Sequence, residues 1–148
     1  MAYTIGEIAK RFNISISTIR YYDKEGLLPN IKRENGIRKF SEQDVETIFI
    51  IECLKKTNVE LKDIKRFITM VKQGDSTIDA RLNFFKEQKE KTLNKIKELE
   101  KALQMLEYKE WYYTKAQELG SAKELEKNID LYRPENMKKL FDSAHEQQ

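Results

Sequence analysis

The segment Ser15-Ile-Ser-Thr-Ile-Arg-Tyr-Tyr22 places hydroxyls and a guanidinium on one side of a short helical pattern, at Ser17, Thr18, Arg20 and Tyr21. These groups suit phosphate oxygens and base edges, because a hydroxyl both donates and accepts and a guanidinium donates in a planar fork. Ile16, Ile19 and Tyr22 form the apolar side, so the same stretch also fits an ordinary core helix with a solvated face. Cys53 is the one thiol, within Ile51-Glu-Cys-Leu-Lys-Lys56. A thiolate reacts with electrophiles and oxidants, while most free cysteines behave as small buried apolar residues. Apolar neighbours on many sides of its helix leave the exposure of Cys53 open. Tyr108, Trp111, Tyr112 and Tyr113 crowd the end of a long helical pattern. Rings at this density either line a pocket for an apolar or cationic effector or pack the helix end.

Other chemistries are not expected. The single histidine is His145, in the tail, so several thiolate or imidazole ligands cannot converge on a metal. One cysteine does not hold an iron–sulfur cluster. No glycine loop suited to phosphates is present, and no histidine in the body of the chain could serve as a base. The expectation is a protein that is not an enzyme and carries neither metal nor cofactor.

The elements that would position these groups follow from caps and periodicity. Thr4-Ile-Gly-Glu7 reads as a capping box, and Ile5, Ile8, Ala9 and Phe12 form the stripe of a short helix. Asn13-Ile14 turns the chain, Ser15 caps a second helix through Tyr22, and Gly26 stops it. A tight helix pair of this kind is a helix-turn-helix, whose second helix is the one offered to a major groove. Asn35-Gly36 ahead of Ile37-Arg-Lys-Phe40 signals a two-stranded hairpin, a small wing carrying Arg38 and Lys39. Ser41 then caps a helix over 42–56, and after a turn at Thr57-Asn58 another helix carries Leu61, Ile64, Ile68 and Val71 to a stop at Gly74. From Ile78 the positions 82, 85, 89, 92, 96, 99, 103 and 106 repeat at steps of four and three, and all but Lys89 and Thr92 are apolar. Such a heptad seam cannot bury itself alone and points to a coiled-coil dimer. The expected organisation is a head at 1–74, a dimerisation helix at 75–119 and a short, partly helical tail at 120–148. Small helices are expected at 122–127 and 135–142, with the last six residues frayed.

Composition agrees with this picture. Charged residues make up 36% and apolar residues 39% of the 148-residue chain, which fits striped helices better than a large sheet core. The net charge is only +3, yet residues 10–39 hold eight basic and three acidic side chains, a local excess suited to phosphates. No apolar run of membrane-spanning length and no secretory signal are present, so a cytoplasmic, nucleoid-associated protein with no membrane partner is expected.

Five blocks together resemble the MerR family of transcription regulators: Tyr3-Thr-Ile-Gly-Glu-Ile-Ala-Lys10, Ser17-Thr-Ile-Arg-Tyr-Tyr-Asp23, Gly26-Leu-Leu-Pro29, Glu34-Asn-Gly-Ile-Arg-Lys-Phe40 and Leu61-Lys-Asp-Ile64. The resemblance implies a mainly α fold, with a winged helix-turn-helix head and a long antiparallel coiled coil. It further implies a homodimer on a pseudo-palindromic promoter operator. That dimer would bend and untwist duplex DNA so that RNA polymerase engages both promoter elements, which is indirect readout used as a switch. At matching positions Thr18, Arg20 and Tyr21 would contact groove or backbone, Arg38 would belong to the wing, and Lys62 would reach a phosphate. Many relatives carry tyrosine where this chain has Ile37 and Phe40, so the wing's role rests on Arg38 and Lys39. The surroundings of Cys53, with Gly74-Asp-Ser-Thr-Ile78 and Phe85-Lys-Glu-Gln-Lys89, are similar to the single-cysteine, aldehyde- and electrophile-responsive branch, which implies a stress response. The alternatives are sensing through the aromatics, and an architectural or excision accessory protein with the same head.

Overall fold

The computed structural model describes residues 2–146 and forms two compact units, Met1–Gln88 and Lys89–Gln148. In the first unit, α1 (Ile5–Phe12) starts at a reciprocal cap. Thr4 Oγ1 accepts from the Glu7 amide at 3.2 Å, and the Glu7 carboxylate accepts from the Thr4 amide at 2.8 Å. Asn13 ends α1 at φ 53°, a left-handed conformation that asparagine tolerates. Ser15 then caps α2 (Ile16–Lys24), its Oγ accepting from the Thr18 amide at 3.0 Å.

The wing is β1 (Lys32–Glu34) antiparallel to β2 (Ile37–Lys39), with Glu34 opposite Ile37. Asn35 and Gly36 both sit at positive φ (51° and 80°), as a two-residue type I′ turn requires. At the base of the hairpin Tyr3 and Phe40 exchange two backbone hydrogen bonds of 2.8 and 2.9 Å, tying the N-terminal strand residue to the wing. Phe40 is buried completely, so the chain leaving the wing enters the core here. Ser41 and Asp44 make a second capping box for α3 (Glu42–Lys56), and α4 (Leu61–Lys72) follows.

Ile8, Ile19, Ile48, Ile51 and Ile64, from α1 to α4, and Phe40 just after β2 are all fully buried in one core. Burying each such side chain contributes about 1.5–3 kcal/mol, which fixes α1 and α2 against α3 and α4. A short 3₁₀ turn (Asp75–Thr77) leads into α5 (Ile78–Leu119). The packing of the first unit continues past Gly74. Phe84 is fully buried, its ring 5.1 Å from that of Phe67, and Arg66 pairs with both Asp63 and Glu87.

The second unit holds the rest of α5 with α6 (Ala122–Lys127), α7 (Ile129–Tyr132) and α8 (Glu135–His145). Leu125 is fully buried and Tyr108 nearly so. The tail is more ordered than expected, because α8 runs on to His145. Phe141 stacks 4.8 Å from Tyr108, and Ser143 hydrogen-bonds Gln104 at 3.1 Å, so the final turns have tertiary partners that oppose fraying. Of the six residues expected to fray, 147 and 148 lie outside the described residues. Among the described residues no helix is long and apolar enough to cross a membrane.

The apolar seam of α5 is bare in the single chain. Ile78, Leu82, Phe85, Ile96, Leu99, Leu103 and Leu106 are all exposed, Leu99 at 69%. Seven large apolar side chains at heptad spacing on one helix form an exposed apolar stripe.

Candidate nucleic-acid interface

The two sides of α2 separate cleanly. Ile19 and Tyr22 are buried in the core, while Ser17, Arg20 and Tyr21 are exposed and Thr18 is half-buried. The cap orders the first turn further, since Ser15 Oγ lies 2.9 Å from Ser17 Oγ and 2.7 Å from Thr18 Oγ1. The four polar groups therefore stand on a helix whose opposite side is locked, which is how a rigid reading surface is built.

Lys62 lies in the first turn of α4, with its side chain 78% exposed and 3.4 Å from Glu60. A groove of about 370 Å³ joins that region to α2, lined by Ser17, Thr18, Tyr21 and Leu61 among others. The structure thus brings the start of α4 beside the exposed side of α2. The wing cations are placed differently. Lys39 is half-buried, and Arg38 donates from Nε to Asp23 Oδ2 at 2.8 Å, its side chain only 21% exposed. Arg38 is thus anchored to α2 as well as carried by the wing. The sequence reading did not single out Asp23 as a partner.

Cys53 is exposed on α3, one turn after the exposed Phe49. Lys55 does not stand idle beside the thiol, because its ammonium donates to the Tyr22 hydroxyl at 2.6 Å and lies 3.6 Å from Glu52. Among the described residues no group of three or more histidine, cysteine, aspartate or glutamate side chains could hold a metal ion.

The aromatic cluster divides. Tyr108 is buried between Trp111, Tyr112 and Phe141, with ring centroids 4.8 to 6.4 Å apart, and its hydroxyl accepts from Arg133 at 3.2 Å. Tyr113 is exposed. Of the four, Trp111 lines a cleft of about 310 Å³, together with Lys115, Tyr132, Arg133 and Pro134. Phe141 and Arg133 complete the cluster, and their distance along the chain hid them from the sequence reading.

The chain is similar to known proteins over most of its length. Residues 3–70 match the MerR HTH family regulatory protein model. An uncharacterized HTH-type transcriptional regulator of Haemophilus influenzae is 46% identical over 124 residues, which cover 83% of this chain and 92% of the relative. The HTH-type transcriptional regulator AdhR of Bacillus subtilis is 31% identical over 60% of this chain and 64% of its own. The crystal structure of HiNmlR, a MerR family regulator lacking the sensor domain and bound to promoter DNA, aligns with a TM-score of 0.59. It shares 45% identity, over 83% of this chain and 98% of its own.

Proposed function

The chain belongs to the MerR family and is a DNA-binding transcription regulator, and we propose that it reads an inverted-repeat promoter operator as a two-fold dimer. The observation that carries this reading is the division of α2, with Ile19 and Tyr22 locked in the core while Ser17, Arg20 and Tyr21 are presented outward. Arg20 and Tyr21 then meet base edges and backbone, Thr18 and Ser17 meet phosphate, and Lys62 adds a phosphate contact from α4. Arg38 and Lys39 bring the wing to the same duplex. Dimerisation by antiparallel pairing of α5 covers the seam and sets two heads on one face of the DNA. Distorting the duplex lets RNA polymerase engage both promoter elements. In this role the protein acts by binding, not by catalysis, and works in the cytoplasm on the nucleoid.

The signal is proposed to arrive at Cys53, by addition of its sulfur to an aldehyde, by its alkylation by another electrophile, or by its oxidation by a thiol oxidant such as a peroxide. Two things support this: the exposure of Cys53, and the likeness to a relative described as lacking a sensor domain. The competing reading places a small effector beside Trp111, and its support is the cleft there.

Selection of duplexes from a random pool by the purified full-length protein tests the function. A common inverted repeat bound by two chains is expected. Recovery of no common sequence contradicts the reading.

A further inference from the structure

The wing sets like charges against one another. In its register Arg33 stands opposite Arg38 and Lys32 opposite Lys39, and like charges directly opposite destabilise a strand pair. The arginine pair has an internal answer. Asp23, near the C-terminal end of α2, accepts from Arg38 Nε at 2.8 Å and lies 3.7 Å from Arg33 Nη2. The carboxylate and Arg38 are mostly covered, with side chains 24% and 21% exposed, whereas Arg33 is half open to solvent at 51%.

This arrangement has a mechanical and an electrostatic effect. Asp23 belongs to the same helix as Arg20 and Tyr21, so its ion pairs join the wing to the reading surface. The Tyr3–Phe40 bridge ties the hairpin at its base, and Asp23 holds Arg33 and Arg38 above it. Electrostatically, one carboxylate offsets part of two guanidinium charges on a face turned to DNA. Attraction of such charges to phosphate is independent of sequence, so an uncompensated arginine pair strengthens binding everywhere and discrimination nowhere.

We infer that Asp23 is a specificity-determining, positioning residue of the head: through its contacts with Arg38 and Arg33 it holds the wing in register with α2 and restrains the wing's sequence-independent pull on phosphate. The inference rests on the regulator reading. Selection of a common sequence by the wild-type protein tests that reading separately.

Asp23→Asn removes the charge and keeps the shape, while Asp23→Glu keeps the charge. Each full-length protein is titrated with the duplex selected by wild type and with a scrambled duplex, over a range of salt concentrations. Asp23→Asn is expected to bind the scrambled duplex more tightly and to steepen the salt dependence by about 0.9, the value for one further phosphate neutralised. The preference for the selected duplex is expected to fall at least about fivefold, the lower bound for losing one well-placed base contact. Asp23→Glu is expected to keep most of the preference. Arg33→Gln, a change at an exposed side chain, supplies a second readout. It should weaken scrambled-duplex binding more when residue 23 is asparagine than when it is aspartate. The inference is overturned if Asp23→Asn lowers both affinities in parallel or leaves the preference unchanged, or if Arg33→Gln has equal effects in both backgrounds.

Discussion

Tyr22 of α2 donates its phenolic hydrogen to Glu52 of α3 across 2.6 Å, linking residues thirty positions apart. The same oxygen accepts from Lys55 at 2.6 Å. Glu52 and Lys55 flank Cys53, so the turn that carries the thiol is hydrogen-bonded on both sides to the helix that presents Arg20 and Tyr21. A displacement of that turn has a direct mechanical route to the outward side of α2.

Tyr22→Phe is expected to destabilise the head by about 1–3 kcal/mol, because Glu52 and Lys55 each lose a partner in a half-buried place. Urea unfolding measures this. Burial first, then the hydrogen bond to Glu52 and its negative charge, raise the Tyr22 phenol well above its ordinary pKa of 10.0. A raised folded value means that its contribution is whole below pH about 10 and is lost as pH climbs from there toward the folded pKa. Wild-type stability should therefore fall more steeply above pH about 10 than that of Tyr22→Phe. Parallel pH profiles contradict the assignment.

Leu99→Lys or Leu103→Lys is expected to abolish dimers, since each puts an unpaired charge into an apolar seam whose leucines are 69% and 55% exposed in the single chain. Sedimentation equilibrium decides the matter, with wild-type dimers and variant monomers expected at micromolar concentration. Wild-type monomers under those conditions contradict pairing through α5.

Lys62→Ala should weaken binding to every duplex alike and make the salt dependence shallower by about one unit, as loss of a phosphate contact does. Its side chain is 78% exposed, so folding stability should not change. A sequence-dependent loss would move Lys62 from the backbone to a base edge.

Local signals carried much of the fold. Thr4 with Glu7, Ser15 and Ser41 announce helix starts because a capping side chain satisfies amides within its own turn. Asn35-Gly36 announces the wing because few other pairs tolerate two positive φ angles. What stayed hidden depends on residues far apart in sequence. Asp23 reaches Arg38 across fifteen positions, Tyr22 reaches Glu52 across thirty, and Tyr108 meets Phe141 from another helix. Phe84 was overshadowed by its neighbour Phe85, which fits the heptad step, although it is Phe84 that the first core buries. The exposure of Cys53 was equally illegible, since apolar residues surround it in sequence and only packing chooses which of them face inward.

Cys53→Ser keeps size and removes the nucleophile. A promoter reporter carrying this variant is expected to keep DNA binding and to lose its response to aldehydes and thiol oxidants. An undiminished response would transfer the sensing role to the cleft beside Trp111, where Trp111→Ala becomes the informative change.

On the proposed function, the outward side of α2 reads DNA sequence. The affinity of Arg20→Ala and Tyr21→Ala for the duplex selected by wild type, each compared with a scrambled duplex at one salt concentration, decides whether it does. Each variant should lose about 1–3 kcal/mol of discrimination while remaining folded, because both side chains are exposed and leave the core intact. Wild-type discrimination in both variants would place sequence reading elsewhere on the head.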